Sequence, residues 1–156
     1  MNILLVCIIG LAVLFAAALS YGFYRSWKTG RAADYGAFQA GMLPSVMPEG
    51  QWRGSVPELG EVAWKGKKFL GAGKGINVFE KSGVKSEAYE FEFYKTTGID
   101  AAHVIRLDYG KPGNPLWLRF IVDEMVSVGE NRYLGLVYLN IVPGFPFRMG
   151  YFRLEK

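Results

Sequence analysis

The 156-residue chain holds one histidine, His103, and one cysteine, Cys7. That is too few for a zinc site built from four Cys or His ligands, or for an internal disulfide. His103 falls in "AHVIRLDY", where alternation sets it on the apolar side with Ile105, Leu107 and Tyr109. A lone imidazole can serve as a general base, as an axial haem ligand, or as a pocket-wall residue with one hydrogen bond, and the apolar face favours the last. The adjacent carboxylates Asp123 and Glu124 point to opposite sides of any strand that carries them, so they cannot flank one bond as a glycosidase pair does. Asp123 is expected at a rim or beside Arg119 or Arg132. No G-x-S-x-G occurs, and Cys7 lies in an apolar run with no base beside it. An enzyme using His103 is the minor reading; a non-catalytic role is expected.

A second group is cationic. Lys65, Lys67, Lys68 and Lys74 are threaded through Trp64, Phe69 and the glycines of "GAGKG". That spacing departs from G-x-x-x-x-G-K-[ST], and no helix opens behind it to hold a phosphate. The stretch reads as a solvated hairpin, with Lys65, Lys67 and Lys68 facing anionic headgroups if the domain lies beneath a bilayer. A net charge of +4 spread along the chain does not argue for nucleic acid.

The elements that position these groups fall into three parts. From Ile3 to Leu19 nothing is charged, and as a helix this stretch extended through Phe23 reaches membrane thickness, so residues 3–23 are expected to contact the bilayer. "AALS" at its end suits a signal peptidase, which makes an exported, cleaved form the alternative, but the leading "MN" lacks the positive charge of a signal. Arg25, Lys28 and Arg31 follow closely, among Tyr21, Phe23, Tyr24 and Trp27. This predicts a retained anchor with the N-terminus outside and the remainder in the cytoplasm. The expected division is an anchor at 1–24, a Gly- and Ala-rich linker at 25–48 with Pro44 and Pro48, and a β domain at 49–156.

Within that domain period-two alternation dominates, most clearly in "EAYEFEFYK", and turn residues punctuate it at "EKSG", "KPGNP", "GEN" and "PGFP". About eight antiparallel strands result, including one long strand over "PLWLRFIVDEMVSV". Connections this short suit a small calycin-like antiparallel β-barrel better than two stacked sheets. Its pocket would be lined by Tyr89, Phe91, Phe93, His103, Tyr109 and Glu124.

"GQWRG", Gly50 to Gly54, resembles the G-x-W signature of lipocalin and calycin barrels. The resemblance implies that Trp52 closes one end of the barrel and that an arginine near the C-terminus packs over it: Arg153, or else Arg148. Trp52, Gly54, Trp64, Gly66, Lys67 and Phe69, with "DYGKPGNPLWLR", "DEMVSV", "RYLG" and "YFRLE", are similar to uncharacterised bacterial GXWXG proteins over about residues 50–155. This implies a bacterial inner membrane. Anchor and barrel together lead us to expect an apolar or amphipathic small ligand near the bilayer, lipid-like or haem. The alternative is an accessory or assembly subunit of a larger membrane complex, with a filled barrel and an outward apolar surface at Trp117, Ile121 and Met125.

Overall fold

The computed structural model describes residues 2–101 and 103–156. Helix α1 spans Ile3–Thr29 and α2 Ala33–Ala40. The strands are β1 (Gly50–Ser55), β2 (Trp64–Leu70), β3 (Lys74–Lys81), β4 (Val84–Thr96), β5 (Val104–Asp108), β6 (Ile121–Gly129), β7 (Arg132–Val142) and β8 (Phe145–Glu155). Each strand pairs antiparallel with the next, and β1 pairs with β8, closing an eight-stranded up-and-down barrel. The fold is therefore mainly β, a closed barrel preceded by one long apolar helix.

Asn2 caps α1 by accepting the amide of Leu4 at 3.1 Å. Leu, Ile, Val and Ala carry the helix onward, long and apolar enough to cross a membrane. It does not stop at residue 24. Its last two turns pack on β8, where Phe23 meets Phe145 at 4.9 Å and Phe147 at 5.2 Å, and Gly22 lets the Phe147 ring approach. Ser26 Oγ accepts the Arg148 amide, and Tyr151 OH donates to Thr29 O. Partners advance together along helix and strand, so the two run parallel and Ile3–Leu19 projects beyond the Phe145 end. In an up-and-down barrel the β7–β8 turn shares its end with the β1–β2, β3–β4 and β5–β6 connections. All four connections therefore lie where α1 leaves the domain.

Two cores flank the barrel wall. Inside are aromatic and aliphatic groups including Trp52, Phe69, Phe91, Phe93, Leu107, Met125 and Phe152. Outside, α2 from the linker lays Phe38 over Val104, Val126, Leu134, Leu136 and Tyr138, so the outer face of β5–β8 is apolar too. This double burial corrects the phase expected for β6. Ile121, Asp123 and Met125 point inward, whereas Val122 and Glu124 face outward with Val126. "PLWLRF" is not strand: Pro115 leads into a 3-10 turn at Leu116–Phe120, and β6 starts only at Ile121.

Candidate functional site

Strand β2 builds the site through a bulge. Its register against β3 shifts between Trp64 and Gly66, and Gly66 adopts φ 136°, a left-handed-side conformation in which a Cβ would strike Trp52 O. The extra residue sends both Trp64 and Lys67 inward. The Trp64 ring then lies across Gly54, where no side chain would fit, which accounts for the small residue two places after Trp52.

Lys67 is 2% exposed, and its three ammonium protons have three acceptors. They are Asn77 Oδ1 at 3.0 Å, Tyr109 OH at 2.5 Å and Asp123 Oδ2 at 3.0 Å. Tyr109 OH in turn donates to Asp123 Oδ2 at 2.7 Å. Trp64 Nε1 donates to Asn77 Oδ1 at 3.0 Å, and Asn77 Nδ2 donates to Tyr89 O. The rings of Phe152, Phe91, Tyr109 and Trp64 surround the ammonium at 5.0 to 5.5 Å, within the range of cation–π attraction. Burial lowers the Lys67 pKa, and the adjacent Asp123 carboxylate opposes that shift. Burial, then the Asp123 charge, pushes the Tyr109 phenol well above its ordinary value. The result is a charge-neutral Lys–Asp pair at the centre of an aromatic barrel.

A cavity of about 490 Å³ rises from this cluster to the end where α1 departs. Trp64, Tyr89 and Phe152 form its wall, with Ile121 and Val137, and Val56, Leu59, Trp117 and Arg25 form its rim. Arg25 is held by Glu58 at 2.9 Å and by Met149 O. A larger groove of about 910 Å³ lies at the opposite end, under residues 37–49, where Trp52, Tyr133 and Lys156 show through. It has no comparable polar cluster, so the smaller cavity is the candidate site.

Of the residues expected to line a pocket, Tyr89 and Tyr109 line this cavity, and Phe91 and Phe93 pack in the core beneath it. His103 does not: it precedes β5 and is exposed, because the strand begins only at Val104, so it cannot ligate a group held in the cavity. Glu124 is buried on the outer face, where it accepts Arg106 Nη2 at 2.6 Å and the Ile99 amide at 2.9 Å. Asp123, expected near a rim, is the interior carboxylate. Lys67, expected at a membrane surface, is interior as well, whereas Lys65 sits 3.8 Å from Glu61 and Lys68 is paired with Glu87 at 2.9 Å. Lys28 and Arg31 are exposed, and Arg31 lies over the Trp27 ring at 4.3 Å.

Trp52 is buried toward the barrel end away from α1, bonded through Nε1 to Glu49 O and edge-on to Tyr133. The cation over it is Lys156, at 5.5 Å, and neither expected arginine. Arg153 points outward to Asp34 on α2, at 2.8 and 2.9 Å. Arg148 is also on the outer side, in a fork on Asp100 at 2.6 and 2.7 Å. Of the proposed outward apolar surface only Trp117 is exposed, since Met125 is in the core and Ile121 is on the cavity wall. Lys67 and Asp123 form the buried pair of the candidate site, which their residue types alone do not place there. The available signal was phase: Lys67 stands two residues before the inward Phe69.

No protein-family model and no curated protein matches the chain. Among solved structures, the chain is similar to one described as a protein from Thermomonospora curvata. The TM-score is 0.52 at 16% identity, covering 74% of this chain and 79% of that one. The likeness extends to the fold.

Proposed function

We propose that this is a membrane-anchored, non-catalytic barrel of calycin type that holds an apolar or amphipathic small molecule drawn from the bilayer. The observation that carries the reading is that the cavity opens at the same end from which α1 projects. All four connections at that end expose large apolar side chains, among them Leu59, Val84, Leu116, Trp117, Phe120 and Phe145. Apolar exposure rimmed by charge marks a surface that meets an apolar phase. With α1 as a span, the basic flank of Arg25, Lys28 and Arg31 supports a barrel on the cytoplasmic side of a bacterial inner membrane, with its mouth against the headgroups. A molecule leaving the bilayer then enters the cavity without crossing water. The G-x-W segment supports a calycin-type barrel through the end-closing position of Trp52.

Native mass spectrometry of the full chain extracted in mild detergent tests this. The wild type is expected to release a bound small amphipath, and Val137→Trp, which fills the cavity, to release none. Equal retention by the two would sink the reading. An accessory-subunit role has less support, because the barrel is not filled and two of its three expected surface residues are internal.

A further inference from the structure

The ion pair at the cavity floor is satisfied on one side only. Asp123 Oδ2 receives both Lys67 and Tyr109, whereas among the described residues no donor reaches Asp123 Oδ1. The side chain is 6% exposed and lines the cavity, so Oδ1 is left to accept a donor from whatever occupies the cavity, water or ligand. Lys67 cannot supply one, because its three protons are engaged.

Resting on the ligand-binding reading above, the geometry points to an uncharged single-chain amphipath whose polar end donates a hydrogen bond to Asp123 Oδ1, a long-chain alcohol being the simplest member. Lys67 and Asp123 cancel, so the floor offers no spare charge to a charged headgroup. A carboxylate or phosphate would set its negative charge against the free oxygen of Asp123 in a desolvated site, and an ammonium would bury a second cation beside Lys67. A neutral hydroxyl meets neither penalty. Its chain then runs along Trp64 and Tyr89 toward Trp117 and the bilayer. At about 490 Å³ the space is that of a pocket for one small ligand, not for a two-chain lipid.

The test uses the full chain in zwitterionic nanodiscs. Bromododecane is the probe that enters the cavity and quenches Trp64, identified by comparison with Trp64→Phe. Dodecanol, dodecane and dodecanoate at neutral pH are the competitors. Dodecanol is expected to relieve quenching at about 10- to 100-fold lower concentration than dodecane, the gain that one hydrogen bond to a charged acceptor gives. Dodecanoate should do no better than dodecane. In Lys67→Met with Asp123→Leu, which removes both charges together, the alcohol's advantage should vanish. Equal displacement by all three competitors, as when water alone satisfies Oδ1, overturns the donor assignment and leaves the cavity reading standing. So does an alcohol preference that survives in the double variant. Absence of any Trp64 quenching defeats the cavity reading itself.

Discussion

A lysine removed from water is tolerated only where its charge and protons are met, and Lys67 has Asp123 for the first and three acceptors for the second. Lys67→Met leaves Asp123 as a lone buried carboxylate and is expected to cost about 3–5 kcal/mol of stability. Lys67→Met with Asp123→Leu should cost less than that single change, as measured by denaturant unfolding in detergent. Strict additivity of the two substitutions would show that the pair is uncoupled. Alkali supplies a second residue-scale test. Burial foremost raises the pKa of Tyr109, Tyr138 and Tyr151. The unfolded phenols ionise from about pH 10, so stability is complete below that and falls as pH rises toward the raised folded values. Lys67 acts oppositely: its lowered folded value means that the native state releases its proton first, so it adds stability up to about pH 10.4. Three phenols outweigh one amine, and the tyrosinate absorbance of Tyr109, Tyr138 and Tyr151, isolated as the difference between wild type and each Tyr→Phe variant, is expected to appear only together with loss of the barrel's circular dichroism. Phenolate forming at these three positions while the barrel persists would contradict their burial. None of this was legible from residue types, because a lysine in "WKGKKF" reads as solvated until the bulge at Gly66 fixes its direction.

At the scale of elements, α1 and α2 are joined to the barrel by one network. Arg148 of β8 forks onto Asp100 in the β4–β5 connection, Tyr138 OH and Tyr35 OH donate to the same carboxylate, and Ser26 of α1 accepts from Arg148. Burial alone would raise the Asp100 pKa, but hydrogen bonds from Arg148 and Tyr138, with the Arg148 charge, together hold it below the ordinary value. Its stabilising contribution is therefore present above the usual carboxylate range and is lost as pH falls through the lowered value. Arg148→Met is expected to cost about 1–3 kcal/mol. Hydrogen exchange should quicken in α2 and the β4–β5 connection, with β2 and β3 unchanged. Uniform acceleration across all strands would mean that the network supports the barrel rather than the helices. The strands themselves were legible from alternation and turn residues. What alternation could not give was which face is inside, because α2 makes the outer face of β5–β8 as apolar as the inner one. That is why alternation puts Glu124 in the pocket in place of Asp123, whereas the placing of Arg153 or Arg148 over Trp52 rests on the lipocalin resemblance, and both serve the α2 side instead.

For the whole molecule the decisive relation is between the axis of α1 and the open end of the barrel. Neither is informative alone: an apolar N-terminal helix serves equally as a signal, and a barrel cavity serves equally for a ligand taken from water. Their shared end joins them, because Phe23 seats on Phe145 and Phe147 and so sets the open end of the barrel on the side from which α1 projects. Two tryptophans mark the two ends, Trp117 on the rim at 56% exposure and Trp52 sealed at the far end at 4%. In vesicles of phosphatidylcholine brominated along the acyl chains, and in a Trp27→Phe background to remove the belt tryptophan, part of the fluorescence is expected to be quenched. The quenched part should disappear in Trp117→Phe and persist in Trp52→Phe. Replacing Leu59 and Phe120 with aspartate should lift the rim from the lipid and restore Trp117 emission while α1 stays inserted. If Trp117 is as insensitive to brominated lipid as Trp52, the mouth faces water. The cavity would then have to fill from the aqueous side, and the hydroxyl-bearing amphipath would lose its direct route from the bilayer.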